Sequence, residues 1–598
     1  MKKNIYRIAG VGVLAVAMLS CNKRLNEYNP GGATADATWT TPQGFVTAVN
    51  GAYQEQRAYY GKEDGPLISE GGTDLWFTAN KISYANQVTK YINLIPATNN
   101  SSFTIFRLFY RAINQCNAGI NRIDGAGFTD LGEKNRRLGE LRFLRAFYYW
   151  HIVEQFGGVN LRTTETNSVE LTAQRSPVSA FYDLIISDLK FAADNLPNAS
   201  FYGSGIAGEY SRASKKSALG MLARAYLSRA YYATGQERTD YFTLAKNTAN
   251  DVIARKGELG TDLWASPAEL WNPANNKNNK EALYIISNST NQQLDYDDNA
   301  NRLHAWFLTT YNGRPGLVRS IQYGFDNQKR LQPTRYLLSL FNEQLDARYA
   351  ASFQENWIAN TAYTWNASAA NTFGKAPSVI GTQLIPGQSL AMQLTKQVVA
   401  DKATKPYVVY DINDMYNVSA TDSRVGTIKS LTDFIPMIKF LDYTRTLPDA
   451  QPGFNDIMVI RFAEMYLISA EAEFKLGNIG AAVEKLNVLR ARAAVKTPVD
   501  RTQAFQATTQ ASLTAAETLE EGGGIYFILA ERARELCGEH LRWYDLKRTL
   551  TDEQFAAYIK KFNPDITDVQ PFHRLRPVPL TELNALTNGA EFGQNPGY

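Results

Sequence analysis

Helical segments that come in pairs constrain the fold of this 598-residue chain more than any other sequence feature. The late pair is the clearest, with apolar residues at helical spacing over 460–476 and 481–492 and the turn Gly477-Asn478 between them. Three pairs precede about residue 256. A single pair cannot bury its apolar face, so we expect the pairs to stack. The main early helices are predicted at 141–157, 175–196, 212–232 and 241–253.

The sequence AEAEFKLGNIGAAVEKLNVL of the late pair resembles tetratricopeptide (TPR) helix–turn–helix repeats. It places small alanines where two helices must approach and a glycine at the turn. We therefore predict a mainly α fold in which TPR-like pairs form the scaffold. If the early pairs pack on the late pair, residues 36–256 and 457–598 form one domain with an insertion between them.

That insertion, residues 257–456, changes character and is rich in Asn, Tyr, Thr, Gly and Pro. Residues 282–286 and 407–410 are predicted strands, and the rest is predicted to be loops. Long irregular segments with many aromatic residues are usually functional rather than disordered. We therefore predict that this segment carries the ligand-binding face.

The N-terminus is typical of an exported lipoprotein. Lys2, Lys3 and Arg7 precede an apolar run that is too short to span a bilayer and ends Met18-Leu19-Ser20-Cys21. We predict a signal peptide over 1–20, lipidation of Cys21 and a polar tether over 21–35. Several acyl chains on one cysteine would hold the protein firmly on a membrane.

Near the C-terminus, residues 525–548 are predicted to form one amphipathic helix. Its apolar face includes Leu529 and Trp543, which we expect to be core residues. Charged residues cover the opposite face, with Glu539 placed to pair with Arg542 one turn later.

This stretch, ERARELCGEHLRWYDLKR, and the chain's ending, RLRPVPLTELNALTNGAEFGQNPGY, closely resemble the C-terminal signature of the SusD/RagB family. RFLRAFYYWHIVEQFG and RFAEMYLISAEAEFKLGN resemble other helical blocks of that family. The resemblance implies a SusD-like fold and a lipid-anchored nutrient-binding protein of the outer membrane that faces the cell exterior. It further implies a SusC-like TonB-dependent transporter as partner, and neither catalysis nor a cofactor.

Several function classes lack a signal in the sequence. Removal of three basic residues with the signal peptide lowers the formal charge from +4 to about +1, which does not suggest a nucleic-acid partner. The four histidines have no metal-binding spacing, and no phosphate loop or nucleophile elbow occurs. Asp295 begins a calcium-like loop, but Ala300 replaces the required glycine. Paired carboxylates for glycoside cleavage stay an open alternative, because two such residues need to be close in space and not in sequence.

Cys116 and Cys537 are predicted to be buried free thiols, with a single bridge as the alternative.

A sugar site needs aromatic planes for C–H faces and polar groups for hydroxyls in a concave surface. Two loops combine these groups, one at 73–86 and one at 295–323. The family resemblance implies that Asp74 is a ligand residue, and Trp76 is added because it is adjacent. The remaining candidates rest on composition, and they are Tyr296, Arg302, Trp306 and Tyr311.

The sequence thus predicts an oligosaccharide-binding lipoprotein that serves a transporter, with no metal and no catalytic residues. Three alternatives stay open. The first is a RagB-like peptide-binding protein of the same fold, the second a surface glycosidase, and the third a TPR-type protein–protein adaptor.

Overall fold

The computed structural model describes residues 38–78, 83–198, 209–290, 301–328 and 330–598. The predicted signal peptide, Cys21 and the tether lie outside these residues. The larger helices are α1 (Pro42–Ala52), α2 (Glu55–Tyr60), α3 (Asp64–Ser69), α4 (Ser83–Thr89), α5 (Ser101–Arg122), α6 (Leu131–Phe156), α7 (Val178–Asn195), α8 (Lys215–Tyr232) and α9 (Gly235–Ala254) in the early part.

The middle and late parts contain short helices, a second group of long helices and eleven short strands within the described residues. The helices are α10 (Pro267–Leu270), α11 (Leu303–Trp306), α12 (Arg335–Ser339), α13 (Arg348–Ser352), α14 (Ala367–Thr372), α15 (Ile412–Met415), α16 (Phe462–Lys475), α17 (Ile479–Ala493), α18 (Thr502–Thr514), α19 (Ile525–Glu535), α20 (Arg542–Thr549), α21 (Asp552–Phe562), α22 (Leu580–Asn584) and α23 (Gly589–Phe592). The strands are β1 (Trp76–Phe77), β2 (Ala282–Ile286), β3 (Gln332–Pro333), β4 (Asn356–Ile358), β5 (Tyr363–Thr364), β6 (Gln383–Leu384), β7 (Leu390–Leu394), β8 (Val408–Tyr410), β9 (Tyr416–Val418), β10 (Gly426–Ile428) and β11 (Ile457–Arg461).

Local sequence signals explain where the long helices begin and end. The Thr41 hydroxyl caps α1 by accepting from the backbone N–H of Gly44 at 3.1 Å, and Pro42 occupies the first turn. Asp130 caps α6, which begins ten residues before the predicted position. Gly157 ends α6 with φ +70°, a backbone conformation that favours glycine.

The long helices form one continuous stack. Helices α5 to α9 each pack on the next, and α9 then packs on α16, which begins about two hundred residues later. Helices α16, α17 and α18 continue the stack. The predicted contact between early and late helix pairs is therefore present. The helix predicted to begin at residue 460 begins at Phe462 instead, because residue 460 lies in strand β11.

Strands β2 and β11 pair antiparallel and connect the stack to the middle segment. They lie on α8, where the Ser217 hydroxyl donates to the carbonyl oxygen of Leu283 at 2.7 Å. Arg224 of the same helix is buried and paired with Glu464 of α16 at 2.6 Å. The predicted strand 282–286 is confirmed, and the predicted strand 407–410 corresponds to β8. The remaining middle segment contains more short strands and helices than the predicted loops.

The prediction of one helix over 525–548 is wrong. Helix α19 ends at Glu535 and α20 begins at Arg542. Between them Gly538 and His540 have positive φ values of +74° and +63°, which no continuous helix allows. This break lets the Glu539 carboxylate contact Lys439 at 2.5 Å and Arg461 at 2.7 Å.

The predicted polar face of that stretch is not exposed. Its charged side chains are buried, and Glu531, Glu535, Glu539 and Arg542 among them hold ion pairs with residues far away in the chain. Arg542 pairs with Asp74 at 2.6 Å rather than with Glu539. Trp543 is buried, as predicted. Helical periodicity alone could not show this, because a helix inside a large protein can bury its charged face when partners are supplied.

Replacing Gly538 with alanine should destabilise the protein by about 1–3 kcal/mol, because a non-glycine residue is strained at this positive φ. The added methyl would also clash with the end of the Met437 side chain. Thermal unfolding of the purified protein measures the change. Gly480→Ala is the control, since Gly480 lies near the start of α17 in open space. That variant should be neutral or slightly more stable, and equal stability of the two variants would contradict the prediction.

Cys116 and Cys537 are buried free thiols, so the alternative of a bridge between them is excluded. Over the described ranges, no helix is both long and apolar enough to cross a membrane. In the same part of the chain, no cluster of three or more His, Cys, Asp or Glu side chains is arranged to hold a metal ion.

Candidate functional site

A narrow hollow of about 40 Å³ opens on the middle segment, which is room for a few water-sized groups and well below the volume of a site that encloses a small ligand. It lies between the 270–279 turn, the start of α11 and the loop that precedes β11. Asparagines are the most frequent residues in its wall, and two partly exposed aromatic rings contribute to it. The asparagines are Asn272, Asn276, Asn279, Asn301 and Asn455, and the rings are Trp271 and Phe440.

Trp271 is positioned by two consecutive capped turns. The Ser266 hydroxyl accepts from the backbone N–H of Glu269, and Pro267 opens α10. This short helix ends at Leu270, so Trp271 follows it directly. The Asn272 side chain then accepts from the backbone N–H of Ala274 and begins the next turn. The ring is therefore held at the wall of the hollow. Phe440 packs against it edge-on with ring centroids 5.7 Å apart, and Lys439 lies 4.3 Å from its centroid.

The Asp442 carboxylate organises the loop on the opposite wall. It accepts from the backbone N–H groups of Thr444 at 2.8 Å, Phe454 at 2.5 Å and Asn455 at 3.1 Å. Gly453 lies between this carboxylate and the His304 ring. A methyl group on Gly453 would lie 3.2 Å from the carboxylate and 2.7 Å from the ring, so only glycine fits there. Both observations fix the loop in one shape, which is what a preformed site requires.

His304 supplies a polar atom on the same wall. Burial lowers the pKa of His304 to about 4, so the ring is neutral near pH 7. Its Nε2 lies 2.8 Å from the carbonyl oxygen of Gln451 and, in the neutral ring, donates to it. Nδ1 is then an acceptor, and it has no hydrogen-bond partner in the described part of the chain.

Buried aromatic rings support the hollow from behind. Trp76 packs on Phe307 with centroids 4.7 Å apart, and Phe307 lies 5.8 Å from Phe440. This row of rings leads from the core to Trp271 at the surface. The early predicted loop and the middle segment therefore do meet, but through their buried side chains.

The structure buries four of the predicted ligand residues, and of these Trp76 belongs to the row of rings behind the hollow. The expectation of exposed rings is wrong for Trp76, Trp306 and Tyr311, each at most 1% exposed. Asp74 is also buried, and its carboxylate is occupied by Arg542. Burial places these four side chains inside the protein, so the exposure on which their predicted ligand role depended is absent.

The two other predicted ligand residues are Arg302, which the structure describes, and Tyr296, which it does not. Arg302 is half-buried at the start of α11, and its backbone N–H donates to the carbonyl oxygen of Gly61 at 2.8 Å. Tyr296 lies outside the described residues. The ligand role of Arg302 therefore stays a prediction.

Sequence reasoning missed Trp271, Phe440, His304 and Asp442. Trp271 has a readable signal, because it stands in the asparagine-rich sequence WNPANN, the combination used to select the other two loops. His304 lies inside the predicted loop 295–323, but no local signal separates it from that loop's buried residues, and nothing near Phe440 distinguishes it from a core residue. Their position depends on a fold that joins segments more than a hundred residues apart.

Stacked helix pairs that carry a long irregular insertion define a helical-repeat protein. Two family models match the chain. One, described as the SusD family, matches residues 251–598, and one described as "Starch-binding associating with outer membrane" matches residues 48–227. The first match spans more than half of the chain, which therefore belongs to the SusD family.

Individual relatives agree with that assignment. The chain is 24% identical to a SusD-like protein of Formosa agariphila over 586 residues, covering 95% of each. It is 25% identical to the starch-binding protein SusD of Bacteroides thetaiotaomicron, covering 85% of this chain and 80% of that one. A solved SusD homolog from Bacteroides thetaiotaomicron has a TM-score of 0.65 at 19% identity, covering 94% of this chain and 99% of that one. The likeness in structure confirms the predicted SusD-like fold.

Proposed function

We propose that this chain captures an oligosaccharide at the outer-membrane surface and delivers it to a SusC-like TonB-dependent transporter. The observation that carries the proposal is the pair of partly exposed rings, Trp271 and Phe440, which offer a sugar a stacking surface at the mouth of the hollow. Aromatic planes suit the C–H faces of sugars, and amide and imidazole groups suit their hydroxyls. The relative named as starch-binding supports a glycan as the ligand class.

Membrane attachment through Cys21 is part of the proposal. The basic start, the short apolar run and Ser20-Cys21 support lipidation. Outward orientation rests on the family. Mass spectrometry of the native protein should find acyl chains on Cys21, and Cys21→Ala should release the protein from the membrane fraction. A Cys21→Ala protein that stays in that fraction would count against this anchor.

We also infer that the hollow binds without cleaving. A glycosidase needs two carboxyl groups free to act on the scissile bond. The acidic groups that line this hollow already have partners: Asp442 accepts backbone N–H groups, Asp456 pairs with Lys277 at 2.5 Å, and Glu539 pairs with Lys439 and Arg461. Release of products from a polysaccharide by the purified protein would overturn this inference.

Trp271→Ala should weaken oligosaccharide binding by about tenfold or more, because covering an apolar side chain of this size contributes about 1.5–3 kcal/mol. Isothermal titration with malto-oligosaccharides comes first, followed by a glycan array if they do not bind. Tyr241→Ala removes a half-buried ring of α9 outside the hollow and should keep the wild-type affinity. Equal affinity of Trp271→Ala and wild type would contradict this site.

The same titration separates the glycan from the peptide alternative. If peptides of a library bind and every glycan on the array fails to bind, the ligand class is peptide and the fold assignment is unchanged.

Co-purification of the lipidated protein from membranes tests the transporter. A barrel protein should accompany it in stoichiometric amount, and repeated isolation of the protein alone would count against the partnership.

A further inference from the structure

A second cleft of about 610 Å³ lies on the middle segment and shares no lining residue with the hollow. Helix α12 and the turn after it form one side. Residues 396–397 and 423–424 form the other. Three cations line the cleft, Arg335, Lys396 and Arg424, against one carboxylate, Glu343. This surplus of positive charge distinguishes the second cleft from the hollow.

Two of the three cations are already compensated. Lys396 pairs with Glu343 and also donates to the carbonyl oxygen of Leu338 at 3.1 Å. Arg424 donates to both carboxylate oxygens of Asp422, at 2.9 Å and 2.8 Å. Neither side chain therefore needs a further counter-ion.

Arg335 is the exception. Over the described residues its guanidinium has no carboxylate partner and no hydrogen bond, and its Nε is buried without an acceptor. Burial lowers the pKa of Arg335, but a guanidinium still stays charged in a protein. A half-buried charge without a partner costs free energy. An anion bound in the cleft would remove this cost.

The surroundings of Arg335 suit a polar ligand. Gln344, Gln397 and Ser423 are exposed on the rim, and their side chains make no hydrogen bond within the described part of the chain. Phe341 provides a buried apolar surface in the lining. Amide and hydroxyl groups around one guanidinium fit a sugar that carries an anionic substituent, since guanidinium pairs with planar oxyanions through two parallel hydrogen bonds.

We propose that this cleft binds an acidic glycan, with Arg335 as the counter-ion of a carboxylate or sulfate group. The site goes beyond the neutral-sugar hollow and does not depend on it. A uronic acid and a sulfate ester offer the same oxyanion chemistry, so both are tested.

Isothermal titration of the full chain uses three probes of equal length: an oligogalacturonate, a sulfated oligosaccharide and a neutral malto-oligosaccharide. We expect the wild type to bind at least one acidic probe, and the stronger one identifies the substituent. Arg335→Met should weaken that binding by about tenfold to a hundredfold, the value of a charge-assisted hydrogen bond. Arg335→Lys should retain part of the affinity because it keeps the charge.

Arg501→Met is the control, since Arg501 is exposed and lies outside the cleft. It should bind the acidic probes as the wild type does. Circular dichroism verifies that each variant is folded. The proposal is overturned if the wild type binds neither acidic probe, or if Arg335→Met binds them with unchanged affinity. The neutral probe reports on the hollow separately, so failure of one site is distinguishable from failure of the other.

Discussion

Replacing Glu535 with glutamine should destabilise the protein by about 3–5 kcal/mol, the usual effect of breaking a buried ion pair from one side. Glu535 is the last residue of α19, and its carboxylate contacts three guanidinium groups. Arg461 lies at 2.7 Å and Arg348 at 3.1 Å, and Arg492 also contacts it. All four side chains are buried, so water cannot replace the lost charge.

The size of the effect follows from what the network connects. Arg461 ends β11, Arg492 belongs to α17 and Arg348 belongs to the middle segment. Glu281, just before β2, shares Arg461 and Arg492 with Glu535. Burial alone would raise the pKa of Glu535, but the three guanidinium groups hold it well below its usual value. The carboxylate is therefore charged at neutral pH, and its removal leaves the surrounding cations undercompensated.

Urea unfolding followed by circular dichroism measures the loss. Glu484→Gln is the matched control, because Glu484 is an exposed residue of α17, and its effect should stay within about 0.5 kcal/mol. Adding Arg492→Met to Glu535→Gln should recover part of the stability, since it removes one undercompensated cation. A Glu535→Gln protein within 1 kcal/mol of the wild type would show that this network is not buried as described.

The network also explains which parts of the fold the sequence could predict. Long helices such as α6 and α8, and the pairing of α16 with α17, follow from local periodicity and turns. The break after Glu535 does not follow from local periodicity, because it depends on the contacts of Glu539 with Arg461 and Lys439. Partners of that kind lie about a hundred residues away. Periodicity describes one segment and carries no information about such partners.

The residues of the candidate site could not be predicted for the same reason, because their contacts join distant parts of the chain. Asp74 and Arg542 are 468 residues apart and fully buried together, which no pattern near either residue indicates. Aromatic content suggested that rings between 295 and 323 face solvent, whereas Trp306 and Tyr311 are buried in the core. The irregular insertion contributes most of the lining of the hollow, and residues of β11 and of the break between α19 and α20 complete it. The identity of its lining residues required the fold.

Glu70→Gln should make the protein progressively more stable than the wild type as the pH rises. Glu70 is fully buried at the end of α3, and its Oε1 accepts from the backbone N–H of Leu541 at 3.0 Å. Its Oε2 has no partner in the described part of the chain. Burial raises the pKa of Glu70 from its usual 4.5 to about 8, so the folded protein keeps this side chain protonated near pH 7.

The sign of the effect follows from proton linkage. Because the folded pKa lies above the unfolded one, the stabilising contribution is complete below pH 4.5 and is lost as the pH rises to about 8. Across that window the wild type should lose about 1.4 kcal/mol per pH unit from this group. Glutamine does not titrate and can still accept from Leu541, so the variant avoids the loss.

The measurement is the difference in unfolding free energy between Glu70→Gln and the wild type, taken from urea titrations at pH 5, 7 and 9. This difference should increase by several kcal/mol from pH 5 to pH 9. Glu484→Gln, titrated in parallel, should show a difference below about 0.5 kcal/mol at each pH. A flat difference for Glu70→Gln would mean that the carboxylate ionises without cost, and hence that water or a cation reaches the contact between α3 and Leu541.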